Sequence, residues 1–325
     1  MSRKLSYTKA INEAMHQEME RDDKVIVLGE DVGRMGGDFG LTQGLWQKWP
    51  DRVIDTALSE QAIVGLSNGA AIAGLRPVAE IMFADFAGCC FDQIVNSSAK
   101  LNFMFQDEAN CPVTIRMPQG AGIRCAYHHS ATVESWFLNT PGLVIVSPAN
   151  PYEAKGLLIS AIRSNDPVLF LEHKMLLNVR GEVPEEPYAL PLGKGVIERE
   201  GTDVTIVALQ ITVGMALKAA EELAKQGISA EVINLRTIKP YDEQIIAESV
   251  AKTNRLVIAQ EGPKVGGWAA EIGAMVTEKY FEYLAAPVER VTCLDIPVSF
   301  APSLEDYYML TPEDIVKACK KTVEF

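Results

Sequence analysis

One carboxylate and one pair of imidazoles stand out among the residues able to move protons. Glu60 closes the stretch Leu58-Ser59-Glu60, where an extended segment hands over to a helix. A carboxylate at that junction has two readings. As a first-turn acid it complements the positive end of a helix dipole. At a strand end of a parallel α/β sheet it lies at the ligand crevice, where it can give and take a proton. The tetrapeptide Phe83-Ala84-Asp85-Phe86 follows a buried strand, Val78 to Met82, and puts aromatic rings at a second strand end on the same side. Carboxylate plus aromatic makes a floor for a flat heterocycle. The other candidate is His128-His129, half of the chain's four histidines, in an irregular loop from Met117 to Ser130. An imidazole of near-neutral pKa suits proton transfer, although a loop histidine is also a common surface residue and two adjacent ones cannot point the same way.

The elements that must hold these groups are written in an α/β rhythm. Behind Glu60 the helix is built from Gly65, Ser67, Gly69, Ala70, Ala71, Ala73 and Gly74, which permit close backbone approach at some cost in helix stability. Apolar runs at Lys24–Asp31, Val78–Met82, Val113–Arg116, Leu143–Val146 and Val168–Glu172 read as buried strands, with helices at the N-terminus, after Met82, over Ser130–Leu138 and over Tyr152–Ser164. Alternation of this kind predicts a doubly wound parallel sheet. The stretch from Val32 to Leu45 carries five glycines but neither the lysine nor the spacing of a P-loop, so it reads as a mobile surface or interface loop. Pro and Glu crowd the segment that follows Arg180. The expected division is a first domain over 1–180, a linker over 181–195 and a second α/β domain over 196–325. That second domain holds no dense cluster of His, Cys and carboxylates and reads as structural or interfacial.

Composition narrows the class. With 325 residues, 48% hydrophobic and 22% charged, the chain has ample material for two cores. A net charge of −13 without any basic stripe argues against nucleic-acid or anionic-membrane partners. Six cysteines without CxxC or secretory spacing read as reduced thiols of a cytoplasmic protein. The N-terminal segment lacks an apolar core and reads as an amphipathic helix rather than a signal peptide.

The chain resembles, nearly end to end, the beta subunit of the thiamine-diphosphate-dependent decarboxylating component of 2-oxo acid dehydrogenase complexes, in the pyruvate and acetoin dehydrogenase branch. The matching stretches are GEDV at Gly29–Val32, RVIDTALSE at Arg52–Glu60, AGLRPVAEIMFADF at Ala73–Phe86, DQIVNSSAK at Asp92–Lys100, PGLVIVSPANPYEAKGLL at Pro141–Leu158, AEVINLRTIKP at Ala230–Pro240 and APVERVTCLDIPVSFAPSLED at Ala286–Asp306. The resemblance implies a transketolase-like pair of domains, a pyrimidine-binding one and a C-terminal one. It implies an α2β2 tetramer with thiamine diphosphate at each α/β interface. The alpha partner would supply the Gly-Asp-Gly motif that holds Mg2+ and the diphosphate, because Gly36-Gly37-Asp38-Phe39-Gly40 lacks that order. This chain alone would then be inactive.

By the same resemblance Glu60 bonds N1′ of the aminopyrimidine, Phe86 stacks on that ring, and Leu58 and Met82 wall it. His129 matches the histidine of a His-Ser pair near the substrate and the incoming lipoyl arm; His128 before it departs from the family pattern. Backbone carbonyls of Val113, Ala161, Ile162, Ser164 and Asp166 match a monovalent-cation site, for K+. The expected activity is oxidative decarboxylation of pyruvate with transfer to a lipoyl group on an acyltransferase core. Acetoin is the alternative, on Gly40–Leu45 and Glu172-His173-Lys174, and a branched-chain 2-oxo acid comes after it. A non-catalytic scaffold is the reading from a different class.

Overall fold

The computed structural model describes residues 3–106 and 108–325, in two compact units. The first takes the chain up to Gln119 together with Trp136–Leu192; the second takes Gly120–Ser135 and Gly193–Phe325.

In the first unit, the parallel strands β2 (Val25–Gly29), β3 (Val53–Asp55), β4 (Arg76–Glu80), β5 (Thr114–Gln119), β6 (Val144–Val146) and β7 (Val168–His173) lie in the order β6-β7-β5-β4-β2-β3. Strands β2, β5 and β7 are buried along their whole length; β2 accordingly reads as an unbroken apolar run, whereas β5 and β7 also bury Arg116, Glu172 and His173. An antiparallel pair, β1 (Arg3–Ser6) with β8 (Arg180–Val183), lies outside the expected scheme. The helix Tyr7–Arg21, N-capped by the Ser6 hydroxyl, packs against the helix Pro151–Arg163, capped by Asn150.

Composition marks 181–195 as a linker, yet its 181–192 part is held on the first unit. The fully buried Lys155 Nζ donates to Glu13 at 2.7 Å and to the carbonyls of Pro184, Glu185 and Glu186 at 2.7, 2.9 and 3.1 Å. Tyr188 stacks on Tyr152 with ring centroids 4.7 Å apart.

The single helix expected after Met82 is broken into a 3-10 turn (Ala84–Cys89), a π-helical turn (Gln93–Ser97), a second 3-10 turn (Ser98–Lys100) and one α-helical turn (Leu101–Met104). Side chains draw the Gln93 carbonyl out of the regular ladder: Asn68 Nδ2 donates to it at 3.1 Å and Ser98 Oγ at 3.0 Å.

The second unit carries β9 (Val196–Arg199), β10 (Val204–Ala208), β11 (Ala230–Asn234), the short β12 (Thr237–Lys239), β13 (Leu256–Gln260) and β14 (Glu289–Thr292). Its sheet runs β14-β13-β10-β11-β9, parallel except for β9, which lies antiparallel to β11. Helices Ile211–Ala224, Glu243–Thr253, Trp268–Lys279 and Pro312–Val323 accompany it, the last opened by a Thr311/Asp314 capping box. The expected α/β class with two domains is what the chain adopts. No helix among the described residues is long and apolar enough to cross a membrane.

Candidate active site

Glu60 is the first residue of the helix Glu60–Ile72, joined to the end of β3 by the short link Thr56–Ser59. It is half-buried, whereas Leu58 beside it is 84% exposed. One face of the helix packs within the unit: a Cβ on Gly65 would meet the Gln93 side chain at 3.3 Å, and Asn68 holds the π-helical turn. The other face, with Ala62, Leu66, Gly69 and Ile72, is exposed. The tight packing anticipated from the small residues is therefore met within this chain on one side only.

Around Glu60 the electrostatics are acidic. Glu30, which directly follows β2, is buried, and its Oε1 has no hydrogen-bond partner. Burial first, and then the negative charges of Glu60, Asp31 and Asp38, raise the Glu30 carboxyl above its ordinary pKa. Burial, reinforced by Glu60, pushes the Cys90 thiol up to about 12. Glu60 thus acts on a second carboxyl and on the end of the turn that carries Phe86.

The rings form a chain of edge-to-face contacts. Phe83 meets Phe86 at 6.1 Å and Phe39 at 5.8 Å, and Lys174 Nζ lies 5.5 Å from the Phe83 ring centre. Met82 and Phe86 are half-buried. Phe39 comes from the glycine-rich stretch, which is pinned rather than loose. Gly33 N–H donates to Asp55 at 2.6 Å, Thr42 Oγ1 to the Val32 carbonyl at 2.7 Å, and Asn12 Nδ2 to the carbonyls of Leu41 and Gln43 at 2.9 Å. Sequence reasoning passed over Phe39 because no spacing links it to Phe83.

The histidine loop belongs to the second unit, which contains Gly120–Ser135. Its base is closed by Gly120 N–H to the Ala131 carbonyl at 3.0 Å. His128 is exposed and edge-on to Tyr127, with ring centroids 4.4 Å apart. His129 is half-buried, and Ser130 is buried with its hydroxyl unpaired. Glu261, directly after β13, accepts the Ala121 N–H at 2.8 Å. A second buried carboxylate, Glu305, holds the next residues of the loop. The expectation that the second domain is structural omitted these anchors, which lie more than a hundred residues from the loop they hold.

The residues of the expected cation site are distributed as follows. Ala161 and Ile162 end the helix Pro151–Arg163, Ser164 follows as its cap, and Val113 precedes β5. The Val113 carbonyl accepts from Val168 N–H at 2.9 Å. Arg76 Nη1 donates to the carbonyls of Ile162 at 3.1 Å and Ser164 at 2.8 Å, and Asp166 Oδ1 accepts from Asn102. A cation held there would sit beside a fixed guanidinium.

Comparison with known proteins bears on both units. The family model for the transketolase pyrimidine binding domain matches residues 3–180, and that for the transketolase C-terminal domain matches 193–315. The beta subunit of acetoin:2,6-dichlorophenolindophenol oxidoreductase from Cupriavidus necator is 48% identical, over 100% of this chain and 99% of its own. The beta subunit of 2-oxoisovalerate dehydrogenase from Bacillus subtilis is 45% identical over 99% of each chain. The mitochondrial pyruvate dehydrogenase E1 component subunit beta-1 of Arabidopsis thaliana is 45% identical over 98% of this chain and 90% of its own. Among solved structures, a split gene transketolase described as an inactive beta4 tetramer superimposes with a TM-score of 0.80 at 27% identity, over 98% of both chains. This chain belongs to the thiamine-dependent beta subunits of the 2-oxo acid and acetoin dehydrogenases, built from the transketolase pyrimidine-binding and C-terminal domains.

Proposed function

We propose that this chain is the beta subunit of a pyruvate dehydrogenase, decarboxylating pyruvate and transferring the two-carbon unit to a lipoyl group. The observation that carries the reading is the setting of Glu60: a half-buried carboxylate at a helix start, beside the buried and unpartnered Oε1 of Glu30. Acetoin is the second donor proposed, favoured by the 48% identity to the acetoin subunit of Cupriavidus necator. Both donors would deliver the same two-carbon unit.

The residues present fit an aminopyrimidine. Glu60 offers a carboxyl for a ring nitrogen, Phe86 a ring face, and Leu58 and Met82 apolar walls. When bound, thiamine diphosphate supplies the nucleophilic carbon and the electron sink for loss of carbon dioxide or cleavage of acetoin. Glu60 holds and returns the proton at N1′. Phe86 fixes the tilt of the ring, and Leu58 and Met82 keep water from it. His129 moves a proton near the substrate during lipoyl acylation, and His128, exposed against Tyr127, takes no part.

The cofactor would be shared with an alpha subunit in an α2β2 assembly, with Mg2+ held by the alpha chain. The exposure of Leu58 at 84%, Leu66 at 60% and Phe103 at 90% supports a partner that covers apolar side chains of the first unit. The inactive beta4 tetramer of the split gene transketolase supports the expectation that beta chains alone do not turn over. A monovalent cation at the Val113, Ala161, Ile162, Ser164 and Asp166 carbonyls, a lipoyl-bearing acyltransferase core as acceptor, and a cytoplasmic location complete the reading. All six cysteines are free, which fits a reducing compartment.

The test is reduction of 2,6-dichlorophenolindophenol by the chain assembled with its alpha partner, with thiamine diphosphate and Mg2+. Pyruvate, acetoin and a branched-chain 2-oxo acid are offered in parallel. Preference for pyruvate is expected, preference for acetoin selects the second reading, and no turnover with any of them leaves the scaffold.

A further inference from the structure

The stretch that leads to His129 is shaped by a carboxylate from near the far end of the chain. Glu305 stands in the first turn of the helix Pro302–Tyr308 and is fully buried. Its Oε1 accepts the main-chain N–H of Gly122 at 2.6 Å, and its Oε2 accepts that of Arg124 at 3.1 Å and Arg124 Nη1 at 2.8 Å. Arg124 Nη1 also donates to the Pro302 carbonyl at 3.0 Å, while Nη2 donates to Asp306 at 2.6 Å. One residue earlier in this series, Ala121 N–H ends on Glu261.

The backbone between these donors is unusual. Gly122 has φ 99°, and Arg124 and Ala126, neither of them glycine, have φ 65° and 59°. Side-chain-bearing residues keep the left-handed region where their surroundings dictate it. Main-chain N–H groups converging on one anion around a left-handed residue make an anion cradle. Here the protein's own carboxylate fills that cradle, and His129 follows Arg124 by five residues.

We propose that Glu305 is the positioning residue of His129: its carboxylate sets the path of the loop from Gly122 to Arg124 and so aims the imidazole. The inference rests on the reading of His129 as the proton-moving group of lipoyl acylation. Without the carboxylate the N–H groups of Gly122 and Arg124 must turn to water or stay buried and unpaired, and the first course displaces the residues that follow. Charge matters together with shape, because the same oxygens neutralise the Arg124 guanidinium.

The test compares E305A, E305Q, H129A and the E305A/H129A double variant, each assembled with the alpha partner. Hydrogen exchange follows the amides of Gly122 and Arg124; acylation of a lipoyl domain and reduction of dichlorophenolindophenol follow turnover. Dye reduction takes electrons without the lipoyl group, so it bypasses His129. In E305A the two amides are expected to exchange about 100-fold faster. Lipoyl acylation is expected to fall about tenfold or more in E305A, less in E305Q, and no further in the double variant than in H129A. Dye reduction by E305A and E305Q is expected to stay within about twofold of the parent. Unchanged exchange, parallel loss in both assays, or additive losses in the double variant would overturn the proposal. Full acylation by H129A would overturn the role of His129 and with it the aim of the cradle; that outcome is recognisable because Glu305 is intact in the variant.

Discussion

Nε of Arg116 donates to Oε1 of Glu172 at 2.6 Å with both side chains fully withdrawn from solvent, and Nη1 of the same guanidinium reaches Glu80 at 2.7 Å. One cation therefore faces two carboxyls across neighbouring strands β4, β5 and β7, and its Nη2 and the Glu172 Oε2 have no partner. Arg116→Met leaves two buried carboxyls without a counter-charge. A loss of about 3–5 kcal/mol is expected from such a break. The shift in urea midpoint measures it, and the triple variant R116M/E80Q/E172Q is expected to recover most of the loss.

The same cluster sets a pH dependence. Burial pushes the Glu172 carboxyl up to about 7, with the Arg116 charge and hydrogen bond working in the opposite direction. A carboxyl whose folded pKa lies above its unfolded one contributes its full stability below the unfolded value, and loses it as pH rises through the folded value. Glu172 is thus expected to lower the stability of the parent protein progressively between about pH 4.5 and pH 7. Thermal unfolding of E172Q and the parent across pH 5 to 8 should show a shallower decline in the variant; parallel curves would remove Glu172 as the source.

Lys155 makes a prediction about chain anchoring. Its ammonium is the shared donor for three consecutive carbonyls, Pro184 to Glu186, and for Glu13. Lys155→Met keeps the apolar stem and removes every one of those bonds. The 184–186 segment is expected to open to limited proteolysis, with a stability loss of about 2 kcal/mol or more. A cleavage pattern unchanged from the parent would show that the Tyr152–Tyr188 stack alone suffices.

What was legible in the sequence was whatever depends on neighbours along the chain. VIVLG and VLFLE announce buried strands, and the run from Tyr152 to Ser164 announces a helix, which the structure starts one residue earlier at Pro151. Pairings made at a distance left no local trace. The π-helical turn at Gln93 depends on Asn68, twenty-five residues earlier. The assignment of the histidine loop to the second unit depends on Glu261 and Glu305. Short mixed strands such as β1 and β9 lack the apolar run that betrays a central strand, so their antiparallel pairing was invisible as well. Glu60 was found at a strand-helix junction, whereas Glu30 was not, because its burial and its missing partner exist only in three dimensions.

The coupling of Glu30 to Glu60 yields the last prediction. Glu30 is held above the ordinary carboxylate range by burial first and by the charge of Glu60 second. Glu60→Gln is nearly isosteric and deletes the second cause only. It is expected to leave assembly with the alpha subunit intact and to lower turnover by about 100-fold or more, the scale of a lost proton-transfer group. At the same time the Glu30 carboxyl should move down toward its ordinary range, because a like charge has gone. Size-exclusion chromatography and dye reduction test the first part. Carboxyl titration by infrared difference spectroscopy tests the second, with Glu30→Gln identifying the band. Near-parental turnover in E60Q would remove Glu60 from the chemistry. An unmoved Glu30 band beside lost turnover would leave the proton-transfer role standing and show that burial alone raises Glu30.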